Sequence, residues 1–135
     1  MLNKFKLHHY GFATKSIKNS LIEFSKLGYV PIGKEIRDNL QGVDLLFIKN
    51  DSQHLIELVA PIEETFGPVS GILKKNGPTL YHICYEVYDL EKELKDLIAK
   101  RFVVLMKPTP AIAFNNRHIS FLYNAQVGLI ELLQK

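Results

Sequence analysis

The sequence repeats itself at a distance of about half its length, and this repeat constrains the fold more than any other feature. A shift of 73 residues aligns His9 with His82. After a one-residue insertion the shift becomes 74, which aligns Phe47 with Phe121 and places the identical segment LIEL of residues 55–58 on residues 129–132. Agreement of this kind along both halves predicts a tandem duplication, in which each half is one structural module.

Each half has the pattern of a β-α-β-β-β module. In the first half, Ser16 can cap a helix whose apolar positions follow helical spacing, and Gly28 can end it. In the second half, Asp89 can cap a helix over residues 90–100. The predicted strands are residues 6–13, 29–36, 43–49, 54–60, 80–87, 102–108, 117–123 and 127–133.

We therefore expect an α+β fold of two tandem βαβββ modules that form an eight-stranded open barrel with helices outside. The modules comprise about residues 5–60 and 78–135, joined by a linker over residues 61–77 that contains a helical turn or two, within a single domain over residues 1–135. A curved sheet of this size encloses a cavity that a small ligand can enter.

Composition excludes several classes of function. The net charge is +3, with no concentrated basic stripe, which argues against nucleic-acid binding. No apolar run approaches the roughly 18 residues needed to span a bilayer, and the start of the sequence lacks a secretory pattern. Cys84 is the single cysteine, so no internal disulfide can form. We expect a cytoplasmic protein that binds neither nucleic acid nor membrane.

The residues most suited to chemistry are two histidines and two glutamates at equivalent positions of the repeat. Glu57 and Glu131 each stand between Ile and Leu in an apolar strand, where a carboxylate is costly to bury unless it is paired or binds a cation. His9 and His82 occupy equivalent positions in the two halves. The four side chains together predict a site for one divalent transition ion such as Ni, Co, Zn or Mn, with water in the remaining positions.

Simpler explanations exist for each of these residues alone. A single histidine in a strand is more often structural than a ligand, and a single glutamate more often faces solvent. His8 and His54 have no histidine counterpart in the repeat, so we interpret them as structural or solvated. His118 is a weaker candidate for a residue behind the ligands, and Cys84 is expected to line the cavity or the core.

Four stretches carry a resemblance to a known family: HHYGFA (residues 8–13), LIELVAP (55–61), YHICYEV (81–87) and GLIELLQ (128–134). Together they resemble the vicinal oxygen chelate superfamily, which includes glyoxalase I and methylmalonyl-CoA epimerase. The resemblance implies the paired-module fold of the glyoxalase and bleomycin-resistance type. It also implies that the metal positions of the family correspond to His9, Glu57, His82 and Glu131.

The resemblance implies an enzyme that forms a metal-chelated enediolate from its substrate. Our first expectation is a glyoxalase I-like isomerase or lyase, of the lactoylglutathione lyase type, acting on a hemithioacetal. Family resemblance makes Glu131 the base that moves the proton, with Glu57 as a ligand or as the acid that returns the proton. Arg37, Lys107 and Arg117 lie near predicted strand ends and could hold an anionic substrate tail, although solvation alone also explains them.

Two alternatives remain open from the sequence. The segment PVSGILKKN (residues 68–76) and Tyr81 resemble the epimerases, and Ala13 replaces an arginine that contacts glutathione in many glyoxalases. Residues 122–126 (LYNAQ), however, replace the His-Pro-Lys stretch of epimerases near coenzyme A, which favours the hemithioacetal over a thioester. The second alternative is a non-catalytic small-molecule-binding protein of the same superfamily. The resemblance also leads us to expect a homodimer.

Overall fold

The computed structural model describes residues 4–52, 54–63 and 67–135 of the chain. This part of the chain forms eight β-strands and three α-helices, and none of these helices is long and apolar enough to cross a membrane. Backbone contacts divide the chain into two compact units. One is His9–Tyr81, and the other is His82–Lys135 together with residues 4–8.

The unit His9–Tyr81 follows the predicted β-α-β-β-β order and adds one helix. Its sheet has the strand order β2-β3-β4-β1, in which β1 runs parallel to β4 and the other neighbours are antiparallel. The N-terminal cap of α1 is the side chain of Ser16, which accepts a hydrogen bond from the backbone N–H of Asn19. The elements are β1 (Lys6–Ala13), α1 (Ile17–Ser25), β2 (Val30–Asp38), β3 (Val43–Lys49), β4 (Leu55–Pro61) and α2 (Gly67–Asn76).

The second unit repeats this arrangement with the strand order β5-β8-β7-β6, in which β5 runs parallel to β8. Asp89 caps α3 as predicted, because its side chain accepts from the backbone N–H of Lys92. The elements are β5 (Thr79–Val87), α3 (Leu90–Ala99), β6 (Val103–Ala111), β7 (Arg117–Asn124) and β8 (Gly128–Gln134), with a 3-10 helix at Ile112–Phe114.

Each unit has its own apolar core between its helix and one face of its sheet. Leu58 is fully buried in the first core, and Phe12 and Phe24 pack against this core. Leu132, its counterpart in the repeat, is fully buried in the second core. The opposite face of each sheet is therefore the one that carries the polar side chains of interest.

These elements differ from the sequence prediction in three features. Strand β6 continues past Pro108 and Pro110 to Ala111, because it is paired only with β7 in its unit and an edge strand tolerates prolines. Helix α2 is longer than the one or two turns predicted in the linker: it occupies ten of the linker residues, which also include residues 64–66 outside the described part of the chain. The 3-10 helix was not predicted; it ends at Asn115, whose φ of 55° is left-handed.

Candidate metal and proton-transfer site

The first buried polar pair joins β1 to β4 within the unit His9–Tyr81. Nε2 of His9 lies 3.4 Å from Oε1 of Glu57, and both residues are at most 5% exposed. The parallel register that places Gly11 beside Glu57 determines this contact, since His9 is two residues before Gly11 and points to the same face. His9, Gly11 and Ala13 alternate along β1 with less buried residues, and all three are themselves buried.

The second buried polar pair has the same construction in the other unit. Nε2 of His82 lies 3.1 Å from Oε1 of Glu131, and both residues are at most 4% exposed. Here the register places Cys84 beside Glu131, and His82 is again two residues earlier on the same face. The two halves of the sequence thus each build a buried His–Glu pair by the same strand geometry.

The donor atoms of each pair fit a divalent transition ion. Nitrogen and oxygen ligands lie about 2.0–2.2 Å from such an ion, so two ligands at right angles are about 3 Å apart. The Nε2–Oε1 distances of 3.4 Å and 3.1 Å are close to that separation. A hydrogen bond between each imidazole and its carboxylate would give similar distances and would also satisfy a buried carboxylate. Metal titration distinguishes the two states.

An aromatic ring stands beside each histidine. The ring centroids of His9 and Phe47 are 5.3 Å apart with an angle of 81° between the planes. The rings of His82 and Phe121 are 5.5 Å apart at 85°. Alignment of the two halves of the chain matched these two phenylalanines, but we assigned them no role. Their equivalent positions in the repeat were the signal that could have singled them out.

Of the three cations predicted to bind substrate, Arg37 is paired across two strands. Its Nε and Nη2 donate to the two carboxylate oxygens of Asp44 at 2.8 Å and 3.0 Å. The hydrogen bond and the charge of Asp44 raise the pKa of Arg37, and the same hydrogen bond lowers the pKa of Asp44. Lys107 is exposed on β6. Their binding of a substrate tail stays a prediction.

Arg117, the third predicted cation, forms a more enclosed ion pair. Its Nη1 donates to Oε2 of Glu86 at 2.8 Å and to the backbone carbonyl of Gln134 at 3.3 Å. The hydrogen bond from Arg117 lowers the pKa of Glu86 although partial burial opposes that shift. Strand alternation places Glu86 on the face of His82, but no local pattern reveals Arg117 as its partner.

The remaining histidines have ordinary surroundings. The ring of His8 lies 5.4 Å from that of Phe114, and the ring of His54 lies 6.4 Å from that of Tyr10. His118 is exposed on β7. Cys84 is fully buried, in accordance with the prediction that it lines a core or cavity.

Comparison with known families gives this geometry a context. The family model described as the Glyoxalase/Bleomycin resistance protein/Dioxygenase superfamily matches residues 8–121, which is well over half of the chain. The chain belongs to this superfamily. The resemblance noted in the sequence is therefore confirmed at the level of the family.

Three relatives narrow the comparison. The chain is 29% identical over 133 residues to the mitochondrial methylmalonyl-CoA epimerase of Dictyostelium discoideum, covering 96% of this chain and 78% of that protein. It is 28% identical over 135 residues to an ethylmalonyl-CoA/methylmalonyl-CoA epimerase of Cereibacter sphaeroides, covering 96% and 97%. The crystal structure of methylmalonyl-CoA epimerase from Mycobacterium tuberculosis matches with a TM-score of 0.83 at 23% identity, covering 99% of this chain and 92% of that one.

These similarities confirm two predictions and reorder a third. The predicted α+β class of two tandem βαβββ modules is confirmed by the structural likeness. The prediction of an enzyme of this superfamily is also confirmed. The relatives do not single out the glyoxalase I reaction, which we expected first, and they support the epimerase alternative better. The non-catalytic alternative gains no support from relatives named as epimerases.

Proposed function

We propose that the chain is an epimerase of 2-alkylmalonyl-CoA thioesters. The observation that carries the proposal is the pair of buried His–Glu contacts at equivalent positions of the repeat. Such an arrangement supplies two carboxylates, and inversion at a carbon next to a carbonyl needs one group to remove a proton and another to return it. The names of the relatives from Dictyostelium discoideum and Cereibacter sphaeroides support this class of substrate.

The proposed metal ligands are His9, Glu57, His82 and Glu131, acting as one set within a single domain over residues 1–135. The proposal is supported by the equal construction of the two pairs and by Nε2–Oε1 separations that suit neighbouring ligands on one ion. When bound, a divalent ion such as Ni, Co, Zn or Mn would stabilise negative charge on the substrate oxygens. We expect one ion per chain.

The proposed proton transfer uses the two carboxylates in turn. Glu131 accepts the proton from C2 of the thioester, and the electron pair of the broken C–H bond is delocalised onto the neighbouring carbonyl oxygen. Glu57, in a protonated form that would no longer bind the ion, then donates a proton to C2 and so inverts its configuration. Burial of both residues at 5% exposure or less keeps bulk water from competing as the proton donor.

Three cations, two in the second unit and one in the first, are proposed to hold the anionic parts of the substrate. Arg117 is the first candidate, because its contact with Glu86 fixes the guanidinium in one position. Lys107 and Arg37 are further candidates, of which Arg37 is already held by both oxygens of Asp44. Homodimerisation and a cytoplasmic location remain proposals that light scattering and cell fractionation would test.

The decisive experiment follows both epimerisation and deuterium uptake at C2 in heavy water. We expect Glu131→Gln and Glu57→Gln each to lower epimerisation by about a hundredfold or more, since the amide keeps the shape and loses the basicity. Each variant should still exchange deuterium into one epimer, and the two variants should act on opposite epimers. This pattern identifies two separate proton-transfer groups.

The matched control is Glu93→Gln, which makes the same change at a buried glutamate of α3. It should leave epimerisation within about twofold of the unchanged protein, because it removes neither proposed base. Near-normal epimerisation by Glu131→Gln would refute its assignment as a base. Faster turnover of a methylglyoxal–glutathione hemithioacetal than of methylmalonyl-CoA would refute the epimerase and restore the glyoxalase I reaction.

A further inference from the structure

Besides its glutamate, each of the two histidines contacts a phenylalanine, and neither metal binding nor proton transfer explains this contact. Phe47 is paired with Glu57 in the antiparallel register of β3 and β4. Phe121 is paired with Glu131 in the register of β7 and β8. Side chains of directly paired residues project from the same face and lie about 4.5–5.5 Å apart at Cβ. Each phenylalanine therefore stands beside the carboxylate of its unit.

The same phenylalanines reach beyond the carboxylate strand to the histidine ring. In the first unit the strands lie in the order β3-β4-β1, so Phe47 contacts the imidazole of His9 from the far side of β4. In the second unit Phe121 on β7 contacts the imidazole of His82 on β5 from the far side of β8. Three adjacent strands thus contribute one His–Glu–Phe triad in each unit.

We propose that Phe47 and Phe121 are positioning residues that hold the two imidazoles in the orientation needed for metal binding. A strand histidine can turn about its Cβ–Cγ bond, and this rotation moves Nε2 away from the ion. A phenyl ring held nearly perpendicular to the imidazole, at 81° and 85°, restricts that rotation. The role is that usually taken by hydrogen-bonding residues behind metal ligands, which fix the ring and so raise affinity.

The recurrence of the contact argues against simple core packing. Both phenylalanines lie on the sheet face that carries the His–Glu pairs, opposite the cores around Leu58 and Leu132 on the helix side. Both are only partly buried, so neither fills a closed core position. Perpendicular ring geometry occurs twice, within 0.2 Å in centroid distance, in halves whose sequences otherwise differ at most positions.

This inference rests on the proposed metal site, and its test separates the two. Titration of the protein with Co²⁺, followed by visible absorption and competition with a chelator, gives affinity and ligand geometry without an activity assay. We expect Phe47→Leu and Phe121→Leu each to weaken Co²⁺ binding about threefold to tenfold and to alter the absorption bands. Phe47→Tyr and Phe121→Tyr, which keep the ring, should restore both properties.

The matched control is Phe12→Leu, which breaks a perpendicular pair with Phe24 on the opposite face of β1, at 5.0 Å and 90°. It should cost stability but leave Co²⁺ affinity and absorption unchanged. Absence of any bound Co²⁺ in the unchanged protein would overturn the metal site itself. Binding of one Co²⁺ by the unchanged protein, with both leucine variants matching the Phe12→Leu control, would overturn only the role of the two rings.

Discussion

On the sheet face that carries the His–Glu pairs, the two halves of the chain have the same residues at one set of equivalent positions and different residues at the neighbouring set. Both build the same His–Glu–Phe triad, with a second-unit pair at 3.1 Å and a first-unit pair at 3.4 Å. Two residues beyond Gly11 the first half has Ala13, whereas the second half has Glu86 at the equivalent position. Where β3 begins with Val43, β7 begins with Arg117.

The disagreement puts an ion pair at positions where the first half has two buried apolar residues. Ala13 and Val43 are both buried. Glu86 and Arg117 are joined at 2.8 Å and are partly exposed, by 18% and 36% of their side chains. In a duplicated chain, a feature kept in both halves and a feature present in only one half are expected to have different roles. The triads support the proposed metal site, to which both halves contribute ligands, and the ion pair supports the proposed contact of Arg117 with one end of the substrate.

The largest expected effect concerns the two cores, which the comparison treats as equivalent. Leu58→Ala and Leu132→Ala each remove a fully buried side chain at matching positions. Each should lower the free energy of unfolding by about 2–5 kcal/mol, from lost burial and the cavity left behind. Chemical denaturation of both variants measures the change. A difference of more than about 1 kcal/mol between them would show that the halves do not share stability equally.

An exposed leucine provides the control for that experiment. Leu40 is 72% exposed, so Leu40→Ala removes little buried area. Its effect should stay within about 0.5 kcal/mol. A larger loss of unfolding free energy in Leu40→Ala would mean that this side chain makes stabilising contacts in solution despite its exposure.

Much of this architecture could be predicted because local sequence patterns determine it. The caps Ser16 and Asp89 fixed where two helices begin, and both accept the expected backbone N–H. Strand alternation puts His9 on one face of β1 with Gly11 and Ala13, and all three are buried. The end of β6 could not be read, because pairing with β7 decides whether a segment containing Pro108 and Pro110 continues as a strand.

The next effect in size concerns the ligands that the two halves share. His82→Ala and His9→Ala each remove one of four proposed ligands, so each should weaken binding of a divalent ion about tenfold or more. Isothermal titration calorimetry would measure both affinity and stoichiometry. Equal losses support one set of four ligands. Two ions per chain, each lost with only one of the histidines, would show that the pairs bind metal separately.

The site was only partly predictable for a physical reason. Repeat alignment singled out His9, Glu57, His82 and Glu131 because nearly the same His-to-Glu spacing, differing by one residue, recurs in both halves. The contact between Glu86 and Arg117 joins residues 31 positions apart through the order of β5, β8 and β7, which no local pattern encodes. The first choice of a glyoxalase I reaction relied on a missing stretch at residues 122–126. An absent motif says little about which other residues bind the substrate.

The smallest expected effect concerns the ion pair that distinguishes the second half. The folded state lowers the pKa of Glu86, so the pair stabilises the protein at pH values above the ordinary pKa of a glutamate, about 4.3. This contribution is lost as the pH falls through the lower pKa of the folded state. Glu86→Gln should therefore reduce the free energy of unfolding by about 0.5–1 kcal/mol near pH 7, less at high salt, and by almost nothing in strong acid. Denaturation at several pH values measures this dependence.

The control is Asp44→Asn in the first half, where the partner Arg37 is 59% exposed. This substitution should also reduce the free energy of unfolding near pH 7, but by less than Glu86→Gln does. If Asp44→Asn has an equal or larger effect, the more enclosed Glu86–Arg117 pair gives the second half no stabilisation beyond what the Asp44–Arg37 pair gives the first.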